Sequence, residues 1–68
     1  MKSVSGKELC QALERHGRQL LRINGSHHIY GRVGSVVRLS VPVRTNRSLK
    51  RGLLSHLLKN ADLREDDI

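Results

Sequence analysis

Aromatic and sulfur-containing residues are scarce in this 68-residue chain, which has one tyrosine, one cysteine and no phenylalanine or tryptophan. The single cysteine, Cys10, excludes an internal disulfide and a cysteine-based zinc cluster. The single aromatic, Tyr30, argues against binding of single-stranded nucleic acid on a platform of stacked rings, because such platforms need several aromatics. A chain this short with so few large side chains also predicts a small core of marginal stability.

Long apolar runs are also missing. No segment approaches the roughly 20 apolar residues that a membrane-spanning helix needs. The first residues lead directly into a polar helix signal rather than into the apolar core of a signal peptide. No segment combines a basic face with bulky apolar anchors, which argues against a membrane-surface partner. The sequence therefore predicts a soluble, cytoplasmic protein.

Acidic residues are rare outside the C-terminal tail. Four of the six lie in residues 62–68, and only Glu8 and Glu14 precede them. The chain carries a net charge of +7, and nine of its thirteen cations are arginines, whose planar guanidinium suits phosphate. This charge predicts a polyanionic partner, most commonly nucleic acid, with solubility alone as the alternative. The acidic tail is predicted to be solvated, or to cover basic surface when RNA is absent.

The segment VSGKELCQALERHG has the signals of a short helix with both ends marked. Ser5 and Glu8 predict a capping box, in which each side chain binds a backbone N–H at the helix start. Gly17 is the predicted stop. One narrow apolar stripe lies between these ends, formed by Leu9, Ala12 and Leu13.

Residues 18–43 change to a period of two, which is typical of β-strands. RQLLRIN and HHIYGR flank Asn24-Gly25, and this pair predicts a tight hairpin turn because both residues tolerate positive φ. A second turn, VGS, leads into VVRLSVPV, where every second residue is apolar. Pro42 indicates that the end of this strand lies at a sheet edge. The middle of the chain is therefore predicted to be a three-stranded antiparallel meander.

Residues 45–63 return to helical spacing, with Asn46 or Ser48 as the predicted N-cap. Gly52 costs a helix about 1 kcal/mol relative to alanine, so we interpret it as a position of close packing. The order α-β-β-β-α predicts one α+β domain, residues 1–68, with both helices on one face of the sheet, as in double-stranded-RNA-binding domains. The apolar face of the second helix comprises Leu49, Leu53, Leu54, Leu57, Leu58 and Ala61.

Histidines are the residues that could bind zinc, but their positions argue against it. No pair among the four has the spacing that aligns two ligands on a helix. His27 and His28 are adjacent on a predicted strand, so their side chains should point to opposite faces of the sheet. We therefore predict neither a metal site nor a cofactor, and expect His16 and His56 to serve structure or surface.

Three functions remain compatible with these residues. Arg47, Lys50 and Arg51 at the start of the second helix would contact phosphates in an RNA-binding module without catalysis. A ribonuclease would also use a histidine, which can act as general acid or base near neutral pH, as well as arginines to stabilise the phosphorane. A protein-interaction module whose basic face binds an acidic partner is the third. The turn that presents His27 favours the ribonuclease.

Four segments resemble the HicA toxins, also called YcfA-like mRNA interferases: SVSGKEL, GSHHIY, VPV and SLKRGLLSHLLKNADL. The resemblance extends over roughly residues 2–63, in order and with matching spacing. It implies a fold like that of double-stranded-RNA-binding domains. It also implies ribosome-independent cleavage of mRNA by the toxin of a type II toxin–antitoxin system, and a HicB-type antitoxin that binds the toxin and masks its histidine.

The resemblance also implies roles for particular residues. The catalytic histidine of the family falls on His27, and Gly25 and Ser26 match the turn that presents it. His28 matches a position that is often histidine and is secondary. Together with the charge pattern, the resemblance makes five cations candidates for holding RNA phosphates: Arg22, Arg32, Arg44, Lys50 and Arg51.

The chain differs from the family pattern at two places. Family members often have a bulky aromatic just after the first helix, where this chain has Arg18-Gln19. This difference predicts a thinner core that depends more on a partner. Family members also often have a histidine after Val-Pro-Val, where this chain has Arg44. This difference predicts either reduced activity or an Arg44 that contacts phosphate instead.

Overall fold

A computed structural model of the protein describes residues 3–44 and 47–68. Its three strands form one antiparallel sheet in the order β1-β2-β3, which confirms the predicted α+β meander. None of the helices in the described residues is long and apolar enough to cross a membrane. The elements are helix α1 (Gly6–Arg15), strands β1 (Gln19–Asn24), β2 (His27–Gly31) and β3 (Leu39–Pro42), helix α2 (Arg51–Asn60) and a 3₁₀ turn (Glu65–Asp67).

Helix α1 begins and ends where its sequence predicts. The Ser5 N–H donates to Glu8 Oε1 at 2.9 Å, and the Glu8 N–H donates to Ser5 Oγ at 3.2 Å, so the capping box is complete. At the other end Gly17 adopts a φ of +87°, and the Arg18 N–H donates to the Leu13 carbonyl at 2.9 Å. Positive φ at this position costs glycine little, which explains why the helix stops there.

The first hairpin turn lies one residue later than predicted. Asn24 pairs with His27, so Asn24 belongs to β1 and the two-residue loop is Gly25-Ser26 rather than Asn24-Gly25. Gly25 has a φ of +62°, and glycine at the first loop position is typical of type II′ hairpins. One positive-φ glycine suffices for this turn, so Asn24 keeps an extended backbone.

Strand β3 is shorter than predicted, because the residues just before Leu39 form hydrogen bonds with one another instead of with a neighbouring strand. Arg38 Nη1 donates to the Ser35 carbonyl at 3.0 Å, and the Val37 N–H donates to Ser35 Oγ at 3.1 Å. Such local bonds compete with a strand ladder, and they leave Val37 outside the strand. The prediction for Pro42 is confirmed, since it ends β3 at an edge of the sheet.

The start of α2 also differs from the prediction. Its N-cap is Lys50, which makes no side-chain cap hydrogen bond, whereas Ser48 forms a β-bridge with Ser5. The Leu49 N–H donates to the Val4 carbonyl at 2.7 Å, so this segment is held extended until Lys50. The alternative cap, Asn46, lies outside the described residues. The close packing predicted at Gly52 is wrong, because an added Cβ would meet no atom within 4 Å.

Both helices pack on one face of the sheet, as predicted. We call this the covered face; on β2 and β3 it presents His28, Tyr30, Leu39 and Val41. The opposite, uncovered face presents Asn24, Arg22, His27, Ile29, Ser40 and Pro42. Eleven buried residues form the core between sheet and helices: Val4, Leu9, Cys10, Leu13, Tyr30, Leu39, Val41, Leu54, Leu57, Leu58 and Ala61.

Tyr30 is the largest side chain of the core, and its polar end has a partner. The hydroxyl donates to Glu14 Oε2 at 2.7 Å, which ties β2 to α1. Burial, followed by this hydrogen bond, raises the pKa of Tyr30 far above its ordinary value. The raised pKa keeps the phenol protonated, so that it can donate this hydrogen bond.

Gly6 lies where α1 touches the end of β3. A Cβ built on Gly6 would overlap the carbonyl oxygen of Pro42 and would also press on Val43 Cα at 3.2 Å. Both neighbours are backbone atoms, which cannot rotate away as a side chain can. Glycine is therefore required here because the helix and the strand leave no space for a side chain, and not because of an unusual φ.

The side chain of Arg18 is buried, although arginine is rarely found inside a protein. Its side chain is only 4% exposed, although it stands where family members often have an aromatic. Its Nη1 is buried and has no hydrogen-bond partner among the described residues. Leaving a buried polar group unpaired costs about 1–3 kcal/mol.

Arg18→Met should therefore stabilise the protein. We expect the free energy of unfolding to rise by about 1 kcal/mol or more, because methionine fills similar space without a buried donor. Urea unfolding with an unchanged m-value would measure the gain. Arg15→Met, which removes an exposed cation from α1, controls for the lost charge. An Arg18→Met chain less stable than the Arg15→Met chain would contradict the prediction.

The C-terminal tail folds back on the helices. Its four acidic residues are exposed, but Ile68 packs against the core. A hydrogen bond of 3.1 Å joins His16 Nε2 to the Asp67 carbonyl oxygen. The acidic side chains of the tail are therefore solvated, while its last residue anchors it to the core.

Candidate functional site

His27 and His28 lie on opposite faces of the sheet, as their adjacency on a strand predicts. His28 stands opposite Val41, which is fully buried on the covered face. It lines a groove beside α1 together with Cys10 and Tyr30. His27 stands opposite Pro42 on the uncovered face and is exposed. His27 is therefore the member of the pair that a large ligand can reach across the open sheet.

Ser40 orients the His27 ring. His27 Nδ1 and Ser40 Oγ are 3.2 Å apart, and both side chains lie on the uncovered face. This contact occupies Nδ1 and leaves Nε2 as the ring nitrogen directed to a ligand. Ser40 was not a predicted site residue, although the alternation in VVRLSVPV places it on the polar side of its strand.

The turn before His27 is tied to the end of β3. The Val43 N–H donates to the Ser26 carbonyl at 2.7 Å, which extends the pairing of these strands by one bond. Ser26 is half-buried, while Gly25 is exposed at the loop tip. The bond fixes the histidine relative to the chain that follows Val43, and Arg44 comes next in that chain.

A basic hollow of about 200 Å³ opens beside this turn. Pro42, directly opposite His27 on the sheet, forms part of its wall. The Arg47 N–H donates to the Arg44 carbonyl at 3.2 Å, and both arginines line the hollow. Lys50 also lines it, as do Ser48, Leu49 and Leu53. Three residues that the sequence predicts to contact phosphate, Arg44, Arg47 and Lys50, thus line the same hollow.

The other predicted phosphate-binding residues lie apart from this hollow. Arg22 is exposed on the uncovered face, opposite Ile29, and is diagonal to His27. Arg51 is exposed in the first turn of α2 but does not line the hollow. Arg32 follows β2 at its far end, about 16 Å from His27 along a strand of ~3.3 Å per residue. Arg32 therefore cannot contact the same phosphate as His27.

The remaining histidines and Cys10 lie outside this site. In residues 3–44 and 47–68 no three His, Cys, Asp or Glu residues cluster in a way that could hold a metal ion. His56 Nε2 lies 3.0 Å from Asn60 Nδ2 on the surface of α2. Burial raises the pKa of the Cys10 thiol, so Cys10 is protonated and a poor nucleophile.

The chain matches a protein family over nearly its whole length. A family model described as "HicA toxin of bacterial toxin-antitoxin" matches residues 6–63 of the 68. The match includes both helices, all three strands, the His27 turn and the basic hollow. A comparison with curated proteins found no match. Because the family model covers most of the chain, this protein belongs to the HicA toxin family of bacterial toxin–antitoxin systems.

Proposed function

We propose that this toxin is an endoribonuclease that cleaves mRNA without the ribosome and without a metal ion, using His27 as general acid or base. One observation carries the proposal: an exposed histidine on the uncovered face stands beside a hollow lined by Arg44, Arg47 and Lys50. This arrangement supports the proposal, because a histidine that can transfer a proton and cations that can bind phosphate lie near each other. Membership in the family supports the toxin role.

The chemistry requires one proton removed and one supplied. The 2′-hydroxyl oxygen of one nucleotide attacks the adjacent phosphorus, and the bond from phosphorus to the 5′-oxygen of the next nucleotide breaks. The products are a 2′,3′-cyclic phosphate end and a 5′-hydroxyl end. His27 Nε2 either accepts the 2′-hydroxyl proton or donates one to the leaving 5′-oxygen. The partner for the other transfer is unassigned.

The cations stabilise the negative charge that grows on the phosphorane. Arg44 and Lys50 hold the phosphate nearest the turn, because they line the hollow beside Pro42. Arg22 binds the RNA where it crosses the uncovered face. Arg51 and Arg32 contact phosphates farther along the RNA, before or after the cleaved bond. The open sheet accommodates a single-stranded or weakly structured segment.

The proposed partners are mRNA and a HicB-type antitoxin, with the cytoplasm as the site of action. An antitoxin that binds over the uncovered face would cover His27 and so inhibit cleavage. The helices pack on the covered face, so in this proposal inhibition occurs on the side of the sheet that RNA also needs. Neither a cofactor nor a membrane is required.

Incubation of the purified protein with a long unstructured RNA in EDTA tests the proposal. We expect cleavage, with 2′,3′-cyclic phosphate ends on the products, and cleavage that slows as salt rises, because the cations bind phosphate. RNA binding with the same salt dependence but without cleavage would replace the proposal by the non-catalytic RNA-binding module.

Ser40→Ala should slow cleavage without weakening RNA binding. The variant loses the hydrogen bond to His27 Nδ1, which is worth about 1 kcal/mol, so we expect kcat to fall about fivefold to tenfold. KM should change little, because Ser40 does not contact phosphate. Ser40→Thr keeps the hydroxyl on a strand-compatible side chain and should restore most of kcat. Equal rates for Ser40→Ala and the parent would show that the bond does not orient the ring.

A further inference from the structure

Strand β1 is an unprotected edge of the sheet. All six of its residues are exposed, and within the described residues only β2 pairs with it. Exposed edges are usually blunted by proline, lysine or bulges, because unpaired backbone groups attract further strands. The other edge, β3, ends in a proline, whereas β1 contains neither proline nor lysine and has a single shift of register, between Leu20 and Arg22. The backbone of β1 is therefore available for pairing.

Two apolar side chains of β1 are exposed although they lie on the covered face. Leu20 and Ile23 stand opposite Tyr30 and His28 on the covered face, yet they are 42% and 56% exposed. The helices thus leave the β1 side of this face without cover. Leu20 also lines a groove of about 220 Å³ between α1 and the sheet, whose other walls include Lys7, Gln11 and Val43. An added strand would place every second side chain beside Leu20 and Ile23, over this groove.

We propose that β1 and this groove bind an extended acidic segment of a partner protein, which adds to the sheet as a fourth strand. Backbone pairing with β1 supplies affinity, and alternate apolar residues of the segment cover Leu20 and Ile23. The groove, Leu20 and Ile23 lie on the face opposite His27, whereas the residues between the apolar ones of the segment would lie beside Arg22 on the uncovered face. The inference does not rest on RNA cleavage.

Charge identifies the occupant. The chain carries +7, with Arg22 in β1 and Lys7 at the groove, so acidic residues between the apolar ones complement the edge. A second copy would add another +7 and, in an antiparallel pair, would bring two β1 strands with like charge together. RNA is a poor occupant, because Leu20 and Ile23 would offer it apolar side chains rather than cations. An extended acidic protein segment can pair with the β1 backbone, cover Leu20 and Ile23, and complement the positive charge.

The test measures hydrogen exchange of the full chain with a capped ten-residue peptide in which valine and glutamate alternate. We expect at least tenfold slower exchange at the β1 amides that β2 does not pair, and no effect from the matching valine–lysine peptide. Ile23→Glu should weaken binding at least tenfold. Val36→Glu is the matched control, because Val36 is 94% exposed in a loop away from β1, and it should bind normally.

Several outcomes would overturn the proposal. They are no protection of β1, equal binding by the Ile23→Glu and Val36→Glu chains, protection of β1 by oligouridine instead of the peptide, or a dimer of the chain alone that Ile23→Glu dissociates. The His27→Ala chain is measured in parallel and should bind the peptide as the parent does. A failure of the proposed ribonuclease is thus distinguishable from a failure of the docking site.

Discussion

His27→Ala should reduce the rate of RNA cleavage by at least about 100-fold, the usual contribution of a positioned general acid or base. The imidazole is exposed on the uncovered face and is oriented through Nδ1 by Ser40, so its loss removes the proton transfer. Its removal should leave the core intact, because His27 is exposed and is not one of the eleven core residues. Rates on an unstructured RNA in EDTA, together with the urea midpoint of each chain, measure the effect.

His28→Ala is the matched control, since it removes the same side chain from the next residue. His28 lies on the covered face beside Cys10 and Tyr30, so it cannot reach an RNA on the other face. We expect its cleavage rate to stay within about threefold of the parent, well below the 100-fold effect of a positioned acid or base. Equal losses in the two variants would contradict the assignment of His27, as would a fully active His27→Ala chain.

RNA affinity separates catalysis from binding in the same experiment. Affinity should be nearly the same for the His27→Ala chain and the parent, because cations supply most of the binding energy to nucleic acid. The slope of log affinity against log salt concentration should also be unchanged. A large loss of affinity on His27→Ala would show that the histidine holds RNA rather than transferring a proton.

Gly6→Ala should have the largest effect on stability among the single-methyl substitutions. The added Cβ would overlap the Pro42 carbonyl, and forcing an atom into packed backbone costs about 1–3 kcal/mol or more. A chain of 68 residues has roughly 3–10 kcal/mol of stability in total. We therefore expect a clearly lower urea midpoint. Cleavage should fall as well, because Pro42 stands opposite His27 on the sheet.

Gly52→Ala provides the control, since it makes the same change in the other helix. An added Cβ there meets nothing within 4 Å, so only helix propensity acts, and this favours alanine by about 1 kcal/mol. The two substitutions should thus shift the urea midpoint in opposite directions. A Gly6→Ala chain as stable as the Gly52→Ala chain would mean that α1 and β3 are not in close contact.

The sequence determined the parts of the fold in which a residue acts on backbone groups only a few positions away. The Ser5–Glu8 capping box and Gly17 set both ends of α1, because each acts on backbone groups one turn away. Strand alternation was enough to separate His27 from His28, since neighbouring strand residues face opposite sides whatever pairs with them.

Only the tertiary structure decided the features that depend on two distant segments. Pairing of β1 with β2 moved the hairpin loop to Gly25-Ser26, and the bridge from Ser5 to Ser48 delayed α2 until Arg51. The hydrogen bond between Ser40 and His27 and the burial of Arg18 arise in the same way. Spacing in the sequence carries no information about which distant residue fills the space opposite. The register of the sheet supplies that information where it sets His27 opposite Pro42 and brings Ser40 to the same face, and Pro42 in turn lines the hollow that Arg44, Arg47 and Lys50 share.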